Sequence, residues 1–224
     1  MACPVFCNIP KNKLTLKLED IDEKIKDPEA SKKVKDMVHR YYEANIPVKY
    51  WSIDMKNFSG DPRLLTWFNE CAEDITKIYK LGPSVCLAGS FGIGKTLAVT
   101  NILKQALAKG YSSLYVTLED IITAVRSKAY FEARQELLTI NFLVIDELDP
   151  RYMATDASAD FHGRLLESVL RHRTGNKLPL FLCTNAISVE ESFSGSIKQA
   201  ISSLFNYVDV FPVLGQDYRK QEKI

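Results

Sequence analysis

Val85-Cys86-Leu87-Ala88-Gly89-Ser90-Phe91-Gly92-Ile93-Gly94-Lys95-Thr96-Leu97 is the stretch from which the rest of the chain can be ordered. Four apolar residues suited to a buried strand run directly into G-x-x-x-x-G-K-T, and apolar residues at helical spacing follow. The glycines let the backbone wrap closely around an anion with its N–H groups turned inward. The helix that follows presents its amino end to the same anion. Strand, glycine loop and helix in this order predict a phosphate-binding loop. Lys95 is expected at the β- and γ-phosphates of ATP, and the Thr96 hydroxyl on Mg²⁺. Gly89, Ser90, Phe91, Gly92, Ile93, Gly94, Lys95, Thr96 and Leu97 together make the expected nucleotide cradle.

Working outward, short apolar runs alternate with helical segments from Ser84 onward. The strand candidates are Val85–Ala88, Ser113–Thr117, Phe142–Ile145, Leu180–Thr184 and Tyr207–Val213. Helices are expected at about 95–109, 119–137, 158–172 and 196–205. Several of the runs are apolar throughout, as expected of strands covered on both faces. This alternation predicts an α/β fold with a mostly parallel five-stranded sheet between two helical layers.

Two strand ends carry polar chemistry. Asn141-Phe142-Leu143-Val144-Ile145-Asp146-Glu147 finishes in adjacent carboxylates, which such a sheet delivers to the cleft at its carboxyl edge. Asp146 is the expected Mg²⁺ holder and Glu147 the residue that orients and deprotonates the attacking water. Leu180-Phe181-Leu182-Cys183-Thr184-Asn185 repeats the logic with an amide, and Asn185 is the candidate contact to the γ-phosphate or the lytic water. A turn asparagine satisfying local backbone would look the same.

The region before the sheet is different. Residues 11–44 are rich in Lys, Asp and Glu with apolar residues at helical spacing, and Pro28 is placed to open a second helix. Another helix is expected at about 62–80. The domain reading is a helical N-terminal segment over 1–45, a partner-binding element or a brace on the core, and an ATPase domain over 46–224.

Bulk properties exclude several classes. The 224 residues carry a formal net charge of +1, so no global positive field argues for nucleic acid. No apolar run approaches the roughly 20 residues that span a bilayer. The five cysteines are scattered, which fits a reducing cytoplasm. Cys86 and Cys183 read as small buried hydrophobes. Cys3 and Cys7 offer two thiols where a zinc site needs four ligands. Lys104, Lys109, Arg126, Lys128 and Arg134, beside Tyr130 and Phe131, are a candidate single-strand surface of charge and stacking, or simply a solvated face.

The phosphate loop, Leu143-Val144-Ile145-Asp146-Glu147-Leu148 and Leu180-Phe181-Leu182-Cys183-Thr184-Asn185 together resemble the AAA+ helicase loaders of the DnaC type and the related IstB transposition ATPases. Supporting marks run over about 46–220. Ala44-Asn45-Ile46-Pro47-Val48-Lys49-Tyr50 resembles the family's segment near the adenine, which implies nucleotide contacts for Ile46 and Tyr50. Leu170-Arg171-His172-Arg173 with Lys177-Leu178-Pro179 resembles the run before its sensor strand. Gly215-Gln216-Asp217-Tyr218-Arg219 resembles its terminal motif, with Arg219 on the phosphates. By this resemblance no full C-terminal lid is expected.

The resemblance implies a P-loop NTPase of the AAA+ class that uses ATP and Mg²⁺, either bacterial or phage-encoded. It implies a replicative hexameric helicase of the DnaB type as partner, single-stranded DNA, and self-association through the ATP site. In the family an arginine enters that site in trans. Here Ser202-Ser203-Leu204 stands where its Ser-Arg-Leu box falls, so the finger is expected from Arg171 or Arg173, or from a different partner subunit, or hydrolysis is weak. Two other readings remain open at this point: an IstB-like transposition helper, and a nucleotide-switched adaptor with little hydrolysis.

Overall fold

The computed structural model describes residues 6, 9–56, 58–148, 157–186 and 208–218, apart from the side chains of 125 and 157–162. Five strands form one sheet: β1 (Ser84–Ala88), β2 (Ser113–Thr117), β3 (Phe142–Asp146), β4 (Leu180–Thr184) and β5 (Asp209–Pro212). Their order is β2-β3-β4-β1-β5, with β1 parallel to β4 and β5, and β3 parallel to β2 and β4. The P-loop strand is therefore interior, and the acidic end of β3 lies two strands away. This is the α/β, P-loop sheet expected from the strand pattern. The expected fifth strand is shorter than its apolar run. Tyr207 and the helix expected at 196–205 lie outside the described residues, as do Ser202, Ser203, Leu204, Cys3, Cys7 and Arg219.

Period-two alternation divides the strands between two cores. Cys86, Leu114, Val116, Leu143, Ile145, Leu180 and Leu182 face one side. Helices α6 (Leu118–Val125), α7 (Tyr130–Thr139) and α8 (Ala157–Gly175) cover them. Val85, Leu87, Tyr115, Phe142, Val144, Phe181 and Cys183 face the other side. They meet α5 (Lys95–Ala108) and α3 (Pro62–Glu73). Cys86 and Cys183 are buried thiols, as their apolar surroundings in the sequence indicated.

The N-terminal segment supplies α1 (Lys11–Lys24) and α2 (Pro28–Glu43), the second opened by Pro28 and capped by the Asp27 carboxylate. Ile21, Val38, Ala44 and Ile46 join the α5-side core, and Arg40 donates to the Leu107 carbonyl at the end of α5 (3.0 Å). The segment thus braces α5. Helix α4 (Ile75–Leu81) follows α3 after a break at Asp74, whose carboxylate turns back to cap the new helix at Lys77 N–H. The single helix expected over 62–80 is therefore two. The helix expected over 119–137 is also interrupted. Ser127 Oγ donates to the Ala124 carbonyl and accepts from Ala129 N–H, a local alternative to the helical ladder.

The residues leading into α3 and those leaving β5 clasp each other beside the phosphate loop. Buried Asp61 caps α3 at Arg63 N–H, pairs with the Arg63 guanidinium (2.7 Å) and accepts from Leu214 N–H (2.8 Å). The Arg63 hydrogen bond, then those from backbone N–H groups, hold its carboxyl down to about 2, from an ordinary 3.8. A carboxyl depressed in the fold stabilises above its unfolded value and loses that contribution as pH falls through the folded one. Asp61→Ala is expected to lower stability by about 1–3 kcal/mol at neutral pH. In urea melts its difference from wild type should shrink as pH falls from about 4 to about 2; a pH-independent difference would refute this account.

Candidate functional site

The loop between β1 and α5 takes its shape from glycine. Gly89, Gly92 and Gly94 have φ of 151°, 74° and 99°, in the region that side chains with a Cβ avoid. Close approach adds a second reason. A Cβ on Gly94 would stand 2.4 Å from the Phe58 ring, and one on Gly89 would stand 2.3 Å from the Val213 carbonyl oxygen. The loop is thus gripped on one side by the segment before α3 and on the other by the segment after β5. Tyr218 N–H closes the grip on the Gly92 carbonyl (3.1 Å), and its ring lies against Phe58 with centroids 6.4 Å apart.

Lys95 begins α5 and turns back into the loop. Its ammonium donates to the carbonyls of Gly89 and Ser90, both at 2.7 Å, and to Asn185 Oδ1 at 3.1 Å. The two residues singled out from separate strand ends therefore meet. Thr96 Oγ1 donates to Asp146 Oδ2 at 2.8 Å, which joins the other expected pair. Asp146 is buried. Its Oδ2 also accepts from the Tyr115 hydroxyl (2.8 Å), and its Oδ1 from Glu147 N–H (2.7 Å). Burial, then the charge of Asp146, raises the Tyr115 pKa beyond the titratable range, so its hydroxyl stays a donor.

Glu147 is exposed at the mouth of the same cleft, with φ of 51°. The chain turns sharply there because Leu148 N–H returns to the Cys183 carbonyl (2.9 Å). Partial desolvation, then the charge of Asp146, pushes the Glu147 carboxyl upward, with Lys49 opposing.

The cleft has a volume of about 660 Å³, within the range of small-molecule sites. Tyr50, Phe58, Phe91 and Tyr218 supply aromatic wall, and Lys95, Thr96, Asp146, Glu147 and Asn185 the polar floor. The donor set fits ATP and Mg²⁺. A hydroxyl and a carboxylate 2.8 Å apart are hard oxygen ligands beside an ammonium and a helix amino end.

No protein-family model matches the chain. Over 133 residues, 56% of this chain and 41% of the relative, it is 27% identical to the replicative helicase loader DnaI of Bacillus subtilis (strain 168). It superposes on a crystal structure of DnaI with a TM-score of 0.59 and 17% identity, covering 75% of this chain and 94% of that one. A crystal structure of the DnaC helicase loader gives a TM-score of 0.59 and 17% identity, covering 75% of this chain and 100% of that one. The chain resembles the DnaC-type helicase loaders and shares their AAA+ fold. The replication initiator DnaA bound to AMPPCP and single-stranded DNA has the same fold, with a TM-score of 0.60, 15% identity and coverage of 79% and 55%. The chain spans less than half the length of the curated relative it matches.

In this loader-like fold some residues expected at the site stand elsewhere. Ile46 is wholly buried in the α5-side core and does not line the cleft, because the turn at Asn45 directs it inward. Tyr50 does line it. Arg173 is wholly enclosed and donates to the carbonyls of Leu137, Ile140, Asn141 and Pro179 at 2.9–3.1 Å. It ties the end of α7 to the starts of β3 and β4, so it is not at a surface that a neighbouring subunit could use. Arg171 is exposed and pairs with Glu167 along α8 (2.7 Å). Of the basic residues considered for single strands, Lys104 is interior, donating to the carbonyls of Tyr50 and Ile53. Arg134 donates to Ser168 Oγ (3.2 Å). Arg126, Lys128 and Phe131 are exposed, and Phe131 packs edge-on against Tyr130. No helix among the described residues is long and apolar enough to cross a membrane.

Three contributors were not expected from the sequence, Tyr115, Phe58 and Asn101, and Lys104 was expected in a different role. Tyr115 had a signal, since a tyrosine inside a buried strand needs a partner for its hydroxyl. Asn101 and Lys104 had one too, as polar residues on an otherwise apolar helix. Phe58 had none, since its contact with Gly94 is made across the fold.

Arg173→Met is expected to cost about 3 kcal/mol or more, because four carbonyls lose one donor group. Arg171→Ala should change stability by less than about 0.5 kcal/mol. Denaturant melts of the two variants check this; equal, small effects would remove the structural role assigned to Arg173.

Proposed function

We propose that this chain binds ATP with Mg²⁺ in the cleft, hydrolyses it, and uses the cycle to load or regulate a replicative hexameric helicase of the DnaB type. The observation that carries the chemistry is the convergence of Lys95, Thr96, Asp146, Glu147 and Asn185 from three separate strand ends onto one glycine loop. The partner rests on the likeness to DnaI, a replicative helicase loader, and to the DnaC helicase loader. Single-stranded DNA and self-association through the ATP site belong to the same reading, with DnaA bound to AMPPCP and single-stranded DNA as support. The setting is the cytoplasm of a bacterium, or of one carrying a phage that encodes the chain.

In this mechanism Lys95 exchanges the Gly89 and Ser90 carbonyls for phosphate oxygens, at little cost in reorganisation because it already lies in the loop. Thr96 and Asp146 would hold Mg²⁺, which supplies charge neutralisation on the phosphates. Glu147 orients the water and takes its proton, and its raised pKa suits a base. Asn185, hydrogen-bonded to Lys95, reports whether the γ-phosphate is present. Tyr50, Phe58 and Tyr218 offer the apolar wall for the base. Arg219 lies outside the described residues and keeps its proposed role on the phosphates from the sequence resemblance alone.

A second reading, a nucleotide-switched adaptor with little hydrolysis, draws on Arg173. Its enclosure leaves Arg171 as the exposed member of the two arginine candidates. A finger from a different partner subunit would reconcile that observation with hydrolysis.

ATP turnover with and without single-stranded DNA, beside Lys95→Ala and Glu147→Gln, tests the proposal. Lys95→Ala is expected to weaken nucleotide binding. Glu147→Gln should bind normally and turn over about 100-fold or more slowly. The acid limb of wild-type turnover should lie above the ordinary glutamate value of 4.5, because the Glu147 pKa is raised, and only above that limb is the base ionised. Wild-type turnover no faster than Glu147→Gln under every condition would decide for the adaptor. Failure to capture a DnaB-type helicase with or without ATP would sink the loader assignment.

A further inference from the structure

Tyr115 is a residue the phosphate chemistry described above does not use, yet it touches its centre. It lies in β2, at the edge of the sheet, two residues before Thr117, which pairs with Asp146 across the β2–β3 ladder. With a side-chain period of two, Tyr115 and Asp146 share the α5 face. The ring spans the distance between them and places its hydroxyl 2.8 Å from Asp146 Oδ2. The same oxygen accepts from Thr96 Oγ1, so the carboxylate is held by donors from β2 and α5 while Glu147 N–H holds its other oxygen.

Tyr115 is also fastened at its backbone. Its N–H donates to the Ala44 carbonyl (2.9 Å), and its carbonyl accepts from Asn45 Nδ2 (3.0 Å). Asn45 has φ of 54°, a left-handed turn that asparagine tolerates. The outer edge of β2 is thereby paired with the turn at the end of α2. One residue connects the brace formed by α1 and α2 to the carboxylate expected on the metal.

We propose that Tyr115 is a positioning residue for Mg²⁺: its hydroxyl sets the orientation of Asp146, and its backbone anchors that hydroxyl to the turn at Ala44–Asn45. This rests on the ATP–Mg²⁺ reading of the cleft. Partners that orient a ligand typically change metal affinity about 10- to 100-fold when removed. The effect is confined to the metal-dependent part of nucleotide binding, since the Tyr115 hydroxyl is directed at Asp146, the carboxylate expected on the metal.

Tyr115→Phe keeps the ring in the core and removes only the hydroxyl. The probe is a fluorescent ATP analogue, titrated first without divalent cation and then with Mg²⁺ at fixed analogue. The expected result is an unchanged affinity without Mg²⁺ and a Mg²⁺ midpoint raised about tenfold or more, with the thermal melt within a few degrees of wild type. An unchanged Mg²⁺ midpoint overturns the proposal. So does an equal loss with and without Mg²⁺, which would mark a merely structural tyrosine. If wild type binds the analogue with no dependence on Mg²⁺, the metal reading of the cleft fails first, and the proposal with it.

Discussion

Helix α5 must be immobilised at its amino end, and the rest of the structure is arranged around that requirement. Ala98, Val99, Ile102, Leu103 and Ala106 are each buried completely, so the helix is fixed by sheet, α2 and α3 together. Its polar interior positions serve the same end. Lys104 donates to the carbonyls of Tyr50 and Ile53, and Asn101 to those of Ile53 and of Leu97 in the helix itself; the bonds to Tyr50 and Ile53 lock the leading segment alongside the helix. Burial lowers the Lys104 pKa, and an ammonium held there without such acceptors would be expensive. Lys95 and Thr96 inherit their positions from a helix that cannot shift.

The polar groups of the cleft are organised as two linked pairs. Lys95 with Asn185 faces the loop, and Thr96 with Asp146 faces the β3 end. Each pair joins the helix to a different strand, so the parallel order of the sheet becomes the geometry of the site. A ligand that draws on Lys95 releases Asn185 and two loop carbonyls at once. That exchange is local, and it needs no movement of the strands beneath.

Much of this was readable from the chain. The glycine loop, the two acidic residues after Ile145 and the amide after Thr184 are each local patterns, and the cleft brings them together. The strand runs were readable because buried parallel strands are apolar throughout. What could not be read depended on contacts between distant segments. Phe58 against Gly94, Tyr115 on Asp146 and Arg173 on the carbonyls of Leu137, Ile140 and Asn141 are separated widely in sequence and joined only by topology. Arg173 is the instructive case. An arginine near the end of a helix carries no mark in the sequence of whether it faces solvent or clamps the turn beneath it. Helix breaks at Asp74 and Ser127 were likewise hidden, because a side chain that competes for backbone hydrogen bonds leaves the apolar period intact.

The clasp between Asp61 and Leu214, with Tyr218 on Gly92, has a mechanical meaning. Two segments more than a hundred residues apart in sequence meet over the phosphate loop: Asp61 accepts from Leu214 N–H and Arg63 donates to the Pro212 carbonyl, while Tyr218 N–H bonds the Gly92 carbonyl and Phe58 packs on Gly94. A pull on the chain after β5 is transmitted to these few bonds before it reaches the buried strands, whereas a pull before α3 meets the Lys104 and Asn101 bonds to the leading segment. Tension applied to the flank after β5 acts on the phosphate loop directly, as a string acts on the bridge of an instrument.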